Sequence, residues 1–362
     1  MESVSRYHRQ TLLAEIGEEG QRRLGGSHAL LVGCGALGTV IADGLARAGV
    51  GRLTLVDRDL VERTNLQRQI LFDESDVRDE LPKAEAARRK LARINSEIEV
   101  RAIVDDFRHS NAEVLAADAD VLLDGLDNFE TRFLLNDLSV KLGIPYVYGG
   151  AVGTNGMTAT FLPHTPGNAD RGRRSWTEEE ATPCLRCLFE SAPPAGSAPT
   201  CDTVGVLGPA VGVIANLQAA EAIKTLTRKF DSINRGLVSV DLWSNEWRRL
   251  NIASAYADGD CATCRRSVYQ SLEGCDGPGV STMCGRNAVQ INPARPVELD
   301  LSTLEGQLRA HGATQRNAFL LRCRLRENEG VELTIFPNGR TIVHGVDRPE
   351  QARSLYARYI GA

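Results

Sequence analysis

The chain has 362 residues, 42% of them hydrophobic and 25% charged, with a formal net charge of −5. That is an ordinary globular balance with ample material for a core, and it argues against a general nucleic-acid or membrane binder. The length fits one large domain plus a small one, or two of medium size.

The N-terminal stretch "MESVSRYHRQ" has no apolar signal region, and no run of about 18 apolar residues occurs, so a soluble cytoplasmic protein is expected. Nine cysteines in such a chain point to a reduced compartment, where paired cysteines bind metal more often than each other.

In chain order, "HALLVG" and "RLTLVD" read as short buried strands around the apolar-periodic helix "TVIADGLARAGV". The stretch 82–95 opens with a proline and continues as a helix with Ala86, Leu91 and Ile94 on one side. "IEVRAIV" and "DVLLDGLD" are further strands, followed by a helix over "FETRFLLNDLSVKLG" that stops at Gly143 and by the strand "IPYVYGG". The alternation predicts a doubly wound, mostly parallel, Rossmann-like α/β sheet. Beyond 157 come a strand over "MTATFLP", a long polar loop over 164–200, a buried helix over 208–229 and strands near "GLVSVDLW" and "EWRRLNI".

Residues 1–265 thus form the main domain, and the Gly/Ser/Pro-containing stretch 266–285 reads as a linker. Residues 286–362 form a small C-terminal α/β domain of unknown role: strand "AVQI", helix "STLEGQLRAHG", strands "AFLLRCRLR" and "VELTIFPNGRTIVHG" about the turn Asn338-Gly339, and a last helix.

The first strand runs into Gly33-x-Gly35-x-x-Gly38, and the second ends in Asp57. A helix N-terminus is thereby offered to an anion and a carboxylate to a ribose hydroxyl, which by itself fits an NAD-dependent oxidoreductase. The next residues favour a triphosphate. Asp57, Asp59, Asn65, Arg68 and Gln69 follow in quick succession and Lys83 starts a helix. A triphosphate carries about four negative charges and needs cationic side chains and Mg²⁺. The acid for that metal is Asp127 or Asp124, at the end of a later strand.

Cys184-x-x-Cys187 and Cys261-x-x-Cys264 have the spacing of a closed, tetrahedral, all-sulfur structural zinc site. Cys201 is unpaired, in a polar loop just before a buried helix whose N-terminus would lower a thiol pKa. Cys34 reads as a packing residue, and Cys275, Cys284 and Cys323 receive no role.

Taken together, "RYHRQ", "GCGALG", "VDRDLVERTNLQRQ", "PKAEAA", "DGLDN", "PCLRC", "CDTVGVLGP" and "CATC" resemble the ThiF/MoeB/HesA group, bacterial relatives of ubiquitin-activating enzymes, over about 1–265. The resemblance implies adenylation, with Mg-ATP, of the C-terminal Gly-Gly carboxylate of a small ubiquitin-fold sulfur-carrier protein. It assigns nucleoside contacts to Gly33, Gly35, Ala36, Gly38 and Asp57, with Asp59 and Gln67 also in the cofactor-binding set. Phosphate contacts fall to Asn65, Arg68 and Lys83, and Mg²⁺ to Asp127 beside Asn128. Arg9 would reach the triphosphate of the other subunit of a homodimer, and Cys201 aligns with a cysteine that links to the carrier in some members. Ala36 stands where relatives often carry glycine.

The C-terminal segment does not resemble the rhodanese domain of some relatives, so any sulfur donor would be a separate protein. An NAD-dependent oxidoreductase, a non-catalytic module of the same fold and a tRNA-modifying relative remain as competing readings, the last disfavoured by the net charge of −5.

Overall fold

The computed structural model describes residues 5–164, 176–189, 191, 201–257, 260–274, 280–283, 287–293, 297–328 and 330–361. Most of the long polar loop, Cys275, Cys284 and the side chain of Cys201 lie outside the described residues. The chain divides into two compact units, Met1–Gly274 and Cys275–Ala362.

The first unit opens with α1 (His8–Thr11) and α2 (Gly17–Gly25). Then come β1 (His28–Val32), α3 (Ala36–Ala48), β2 (Arg52–Val56), α4 (Glu74–Arg78), α5 (Lys83–Ile94) and β3 (Glu99–Ile103). These are followed by α6 (His109–Leu115), β4 (Val121–Asp124), α7 (Phe129–Leu142), β5 (Tyr146–Val152) and β6 (Asn155–Phe161). The unit closes with α8 (Leu185–Leu188), α9 (Cys201–Val204), α10 (Gly208–Leu226), β7 (Gly236–Asp241), β8 (Glu246–Asn251) and α11 (Ser254–Ala257).

The strands form one eight-stranded sheet in the order β3-β2-β1-β4-β5-β6-β7-β8. The first five are parallel, and the last three continue antiparallel. All five residues of β1 are buried, as expected of a central parallel strand covered on both faces, so "ALLV" after His28 is a continuous apolar run without alternation. α10 packs against α3 and β5 on one face. On the other, α7 joins a core that includes Leu30, Leu122, Leu135, Leu138, Tyr146 and Phe161. Gly143 closes α7 in the left-handed conformation, φ +68°.

Register fixes where the site can be. Val32 pairs with both Val56 and Asp124, so the glycine loop, Asp57 and Gly125 leave the sheet side by side at its carboxyl edge, where open α/β sheets bind ligands. The N-terminal segment docks at the opposite end. The Tyr7 ring lies where a Cβ on Gly49 would come within 2.5 Å of it. Gln10 donates to the Ala48 carbonyl at 2.9 Å, and Asn95 donates to the Tyr7 hydroxyl at 2.8 Å.

The second unit comprises β9 (Val280–Met283), β10 (Ala288–Ile291), α12 (Leu301–Leu308), β11 (Gly312–Arg316), β12 (Leu321–Leu325), β13 (Glu332–Ile335), β14 (Thr341–His344) and α13 (Pro349–Tyr359). Its sheet has the order β11-β12-β13-β14-β10-β9, antiparallel throughout. Leu301, Leu304, Leu308, Ala352 and Leu355 from the helices pack on Val289, Leu321, Cys323, Leu333 and Val343.

Two features depart from the sequence reading. β11, "GATQR", carries no apolar alternation because it is an edge strand whose side chains are largely exposed. The described residues of the stretch read as a linker are tied into both units: the Ser271 N–H donates to Asp137 in the first, and Val280–Met283 is the edge strand of the second.

Candidate functional site

At the carboxyl edge the polypeptide approaches itself without side chains. Gly33 has φ +94°, and a Cβ there would lie 2.5 Å from the Gly125 carbonyl oxygen. A Cβ on Gly38 would lie 1.9 Å from the Gly33 oxygen, and one on Gly125 2.2 Å from the same atom. Only glycine fits at these three positions. α3 starts at Ala36 with Gly35 as its cap residue, no capping side chain and no acid in its first turn. Its leading N–H groups are therefore left for an anion. Asp57 holds this loop in place, accepting the N–H of Cys34 at 2.7 Å and that of Asp59 at 2.7 Å. Burial pushes the Asp57 carboxyl up despite the Lys83 ammonium nearby.

Lys83 is buried and donates to Asp59 at 3.0 Å. Burial alone would favour its neutral form, but the charges of Asp59, Asp57 and Asp127 outweigh it and hold the ammonium above its usual pKa. Lys83 therefore stays cationic at neutral pH.

The loop between β2 and α4 is built around Asn65, which is buried. Its Oδ1 accepts the Glu62 N–H at 3.0 Å, and its carbonyl accepts the N–H groups of Arg68 and Gln69, both at 3.0 Å. Asn65 thus shapes the turn, Arg68 is half-buried and bonds the Thr64 carbonyl at 2.8 Å, and Gln67 is exposed. The start of α10 closes on this turn: a Cβ on Gly208 would lie 3.2 Å from the Gln67 carbonyl oxygen.

Of the two candidate metal acids, the structure leaves only Asp127 facing solvent. Asp124 is fully buried and bonded to Leu126, Arg132 and Tyr146. Asn128 donates to Asp127 at 3.3 Å and caps α7 by accepting the Thr131 N–H at 2.9 Å. Gly33, Gly35, Ala36, Gly38, Asp57, Asp59, Lys83, Asp127 and Asn128 are brought together, with Arg68 and Gln67 on the loop beyond β2.

Arg9 is not among them. It is exposed on α1 at the C-terminal end of α3, whereas the glycine loop lies at the N-terminal end of that 13-residue helix, about 20 Å away. A groove of ≈ 460 Å³ lined by Asp43, Arg47, Ile70, Phe72, Lys90 and Arg93 lies between α3 and α5 and holds none of the predicted residues.

The four paired cysteines meet. Their sulfurs lie 3.8 Å (Cys184 to Cys187), 3.7 Å (Cys184 to Cys261) and 3.5 Å (Cys187 to Cys264) apart. Tetrahedral Zn–S bonds of about 2.3 Å require sulfurs about 3.8 Å apart, so the set fits zinc. Sequence reasoning missed its support. Asp137 of α7, fully buried, accepts from Arg186 at 3.0 Å, Thr263 at 3.2 Å and the Ser271 N–H at 2.8 Å. Asn136 accepts the Leu185 N–H at 2.7 Å. Both Cys-x-x-Cys loops thus hang from α7, and the available signal was an Asn-Asp pair set between Leu134-Leu135 and Leu138. Cys201 opens α9, the helical turn just before α10.

An uncapped helix N-terminus, a glycine crossing and a buried cation at the carboxyl edge of a doubly wound sheet define a nucleotide-binding α/β protein with a four-cysteine cluster that fits zinc. Residues 7–263 match the ThiF family, and the chain belongs to that family. It is 40% identical over 359 residues to the sulfur carrier protein ThiS adenylyltransferase of Bacillus subtilis, spanning 99% of this chain and 100% of that protein. The C-terminal unit is therefore inside that similarity. The sulfur carrier protein adenylyltransferase of Thermus thermophilus is 37% identical over 251 residues, 69% of this chain and 88% of its own. Among solved structures, E. coli MccB with MccA-N7isoAsn has the same fold, with TM-score 0.58 and 24% identity over 72% of this chain and 75% of that one. Among the described residues no helix is long and apolar enough to cross a membrane.

Proposed function

We propose that this chain adenylates the C-terminal Gly-Gly carboxylate of a small ubiquitin-fold sulfur-carrier protein with ATP, releasing pyrophosphate. The observation that carries the reading is the cationic Lys83, buried and held by Asp59 beside the uncapped start of α3, in a chain similar along its whole length to a carrier-protein adenylyltransferase. Hydride transfer to NAD requires neither Lys83 and Arg68 nor the four cysteines.

A carboxylate is a poor electrophile. Attack of its oxygen on the α-phosphorus of ATP breaks the bond to the bridging oxygen of pyrophosphate and leaves an acyl-adenylate, a mixed anhydride. Charge builds on phosphoryl oxygens, so the residues act by positioning and electrostatic stabilisation and need no general base.

The glycine loop and Asp57 hold the nucleoside, with Asp59 fixing Lys83. Asn65, Gln67, Arg68 and Lys83 serve the phosphates. Asp127, with Asn128 beside it, would hold Mg²⁺, which neutralises charge on the triphosphate. Arg9, remote from its own rim, serves the site of a second copy in a homodimer. Zinc on Cys184, Cys187, Cys261 and Cys264 is structural. Cys201 belongs to a later transfer step, in which a separate protein donates sulfur. The compartment is the cytoplasm.

ATP–pyrophosphate exchange tests the reading. Exchange that requires an intact Gly-Gly terminus on the carrier is expected. No exchange with any carrier, together with tight NAD binding, would overturn it.

A further inference from the structure

Asp127 is exposed, yet the backbone on both sides of it is pinned. Asn128 is held by its cap on α7. Leu126 is held through both its polar backbone atoms: its N–H donates to Asp124 Oδ1 at 2.9 Å, and its carbonyl accepts Arg132 Nη2 at 2.7 Å. The same guanidinium donates to the Gly149 carbonyl at 3.0 Å and through Nε to Asp124 Oδ2 at 3.1 Å. It also lies near the rings of Phe129 and Tyr148, 5.4 and 5.3 Å from their centroids. Tyr146 donates its hydroxyl to Asp124 Oδ2 at 2.7 Å, and Gln218 of α10 donates to the Asp124 carbonyl at 2.9 Å.

This much buried polarity is costly unless it fixes something, and most of it converges on Asp124 and Leu126, which lead into Asp127. Burial raises the Asp124 carboxyl, while Arg132 opposes that rise. From the geometry we infer that Arg132, locked by Asp124 and Tyr146, is a positioning residue for the adenylation step, acting through the Leu126 carbonyl to aim the Asp127 carboxylate at the metal-bound phosphates. The inference rests on the proposed role of Asp127. Arg132 touches no reacting atom. A planar fork is what the site uses, since one ammonium cannot serve an acid and two carbonyls in these directions.

The test is a double-variant cycle of Arg132→Lys and Asp127→Asn, read by pyrophosphate exchange against Mg²⁺ concentration, with thermal melting alongside. Arg132→Lys should lower exchange and raise half-saturating Mg²⁺ by about ten- to a hundred-fold, with the KM for carrier unchanged. The double variant should be no slower than Asp127→Asn alone, because the two act as a unit. Losses that multiply, or a lowered melting temperature with half-saturating Mg²⁺ unmoved, overturn the inference. If Arg132→Lys does not fold, Tyr146→Phe removes a single hydroxyl from the same lock and should shift Mg²⁺ dependence in the same direction; an unmoved value overturns the inference. Wild-type exchange by Asp127→Asn would overturn the reading of Asp127 and this inference with it, whereas an inactive Asp127→Asn with multiplying losses overturns the inference alone.

Discussion

The nucleotide rim meets α7 (Phe129–Leu142) at its capping residue Asn128, and the cysteine cluster hangs from the middle of the same helix; the two treat polar groups in opposite ways. At the rim, Asp127 and Asn128 face solvent, and α3 presents an uncapped first turn. At the cluster, Asp137 is fully buried and its oxygens are taken up by Arg186, Thr263 and Ser271. A site that exchanges its ligand each cycle needs donors left over, whereas one that would hold an ion permanently needs none. The same contrast separates Asp124 from Asp127, two acids on one strand end. One is spent on architecture, and the other faces solvent beside Asn128.

The sharpest way to break this comparison is at the cluster. Asp137→Ala leaves the Arg186 guanidinium unpaired beside α7 and should destabilise the first unit by about 3–5 kcal/mol, with zinc lost. Urea unfolding and zinc analysis measure both, and wild-type values for each would remove α7 as the common support. At the rim, Arg68→Ala and Asp127→Ala should each cut pyrophosphate exchange by about 10²–10³-fold while leaving zinc content and melting temperature unchanged. A fall in zinc would mean that the two regions are not separable.

A smaller effect sharpens the role of Arg9. Mixed equimolar Arg9→Ala and Asp127→Ala chains should recover about a quarter of wild-type exchange if each site is completed by a second copy and the chains reassort at random. Wild-type exchange by Arg9→Ala alone would place Arg9 outside the site, and no recovery after verified reassortment would place it in its own subunit's site.

The smallest effect belongs to neither region. His28, buried at the start of β1, has its pKa lowered from the ordinary 6.5, first by burial and then by Arg52, with Asp118 opposing. The unfolded chain therefore binds this proton more readily than the folded one. The stability this contributes is complete above about pH 6.5 and is lost as the pH falls below it. Denaturant titrations from pH 8 to 5 should show a shallower decline in His28→Gln than in the parent, and parallel curves would contradict the assignment.

The central strands were legible because burial on both faces writes itself as an unbroken apolar run, and the glycine loop because backbone contact admits one residue type. Other features left little trace. β11 is polar because an edge strand has one neighbour, and β9 sits in a stretch whose Gly, Ser and Pro content reads as a linker. Asp124 and Asp137 carry duties that the sequence does not name. Their duties come from Arg132, Tyr146, Arg186, Thr263 and Ser271, partners from 8 to 134 positions away, and only folding brings those side chains within reach. The cysteine spacing was plain, while the helix that carries the cluster was visible only as a helix.

The crossing of Gly33, Gly38 and Gly125 has a consequence for how this chain can vary. Each glycine is excluded from growing a side chain by backbone rather than by a neighbouring side chain: the Gly33 carbonyl blocks the other two, and the Gly125 carbonyl blocks Gly33. A clash with a side chain can be relieved by trimming the neighbour, but a carbonyl oxygen cannot be trimmed. No second substitution nearby restores room after the first, so lineages of this protein have no stepwise detour through these positions. They can retain the crossing or abandon it together with the nucleotide.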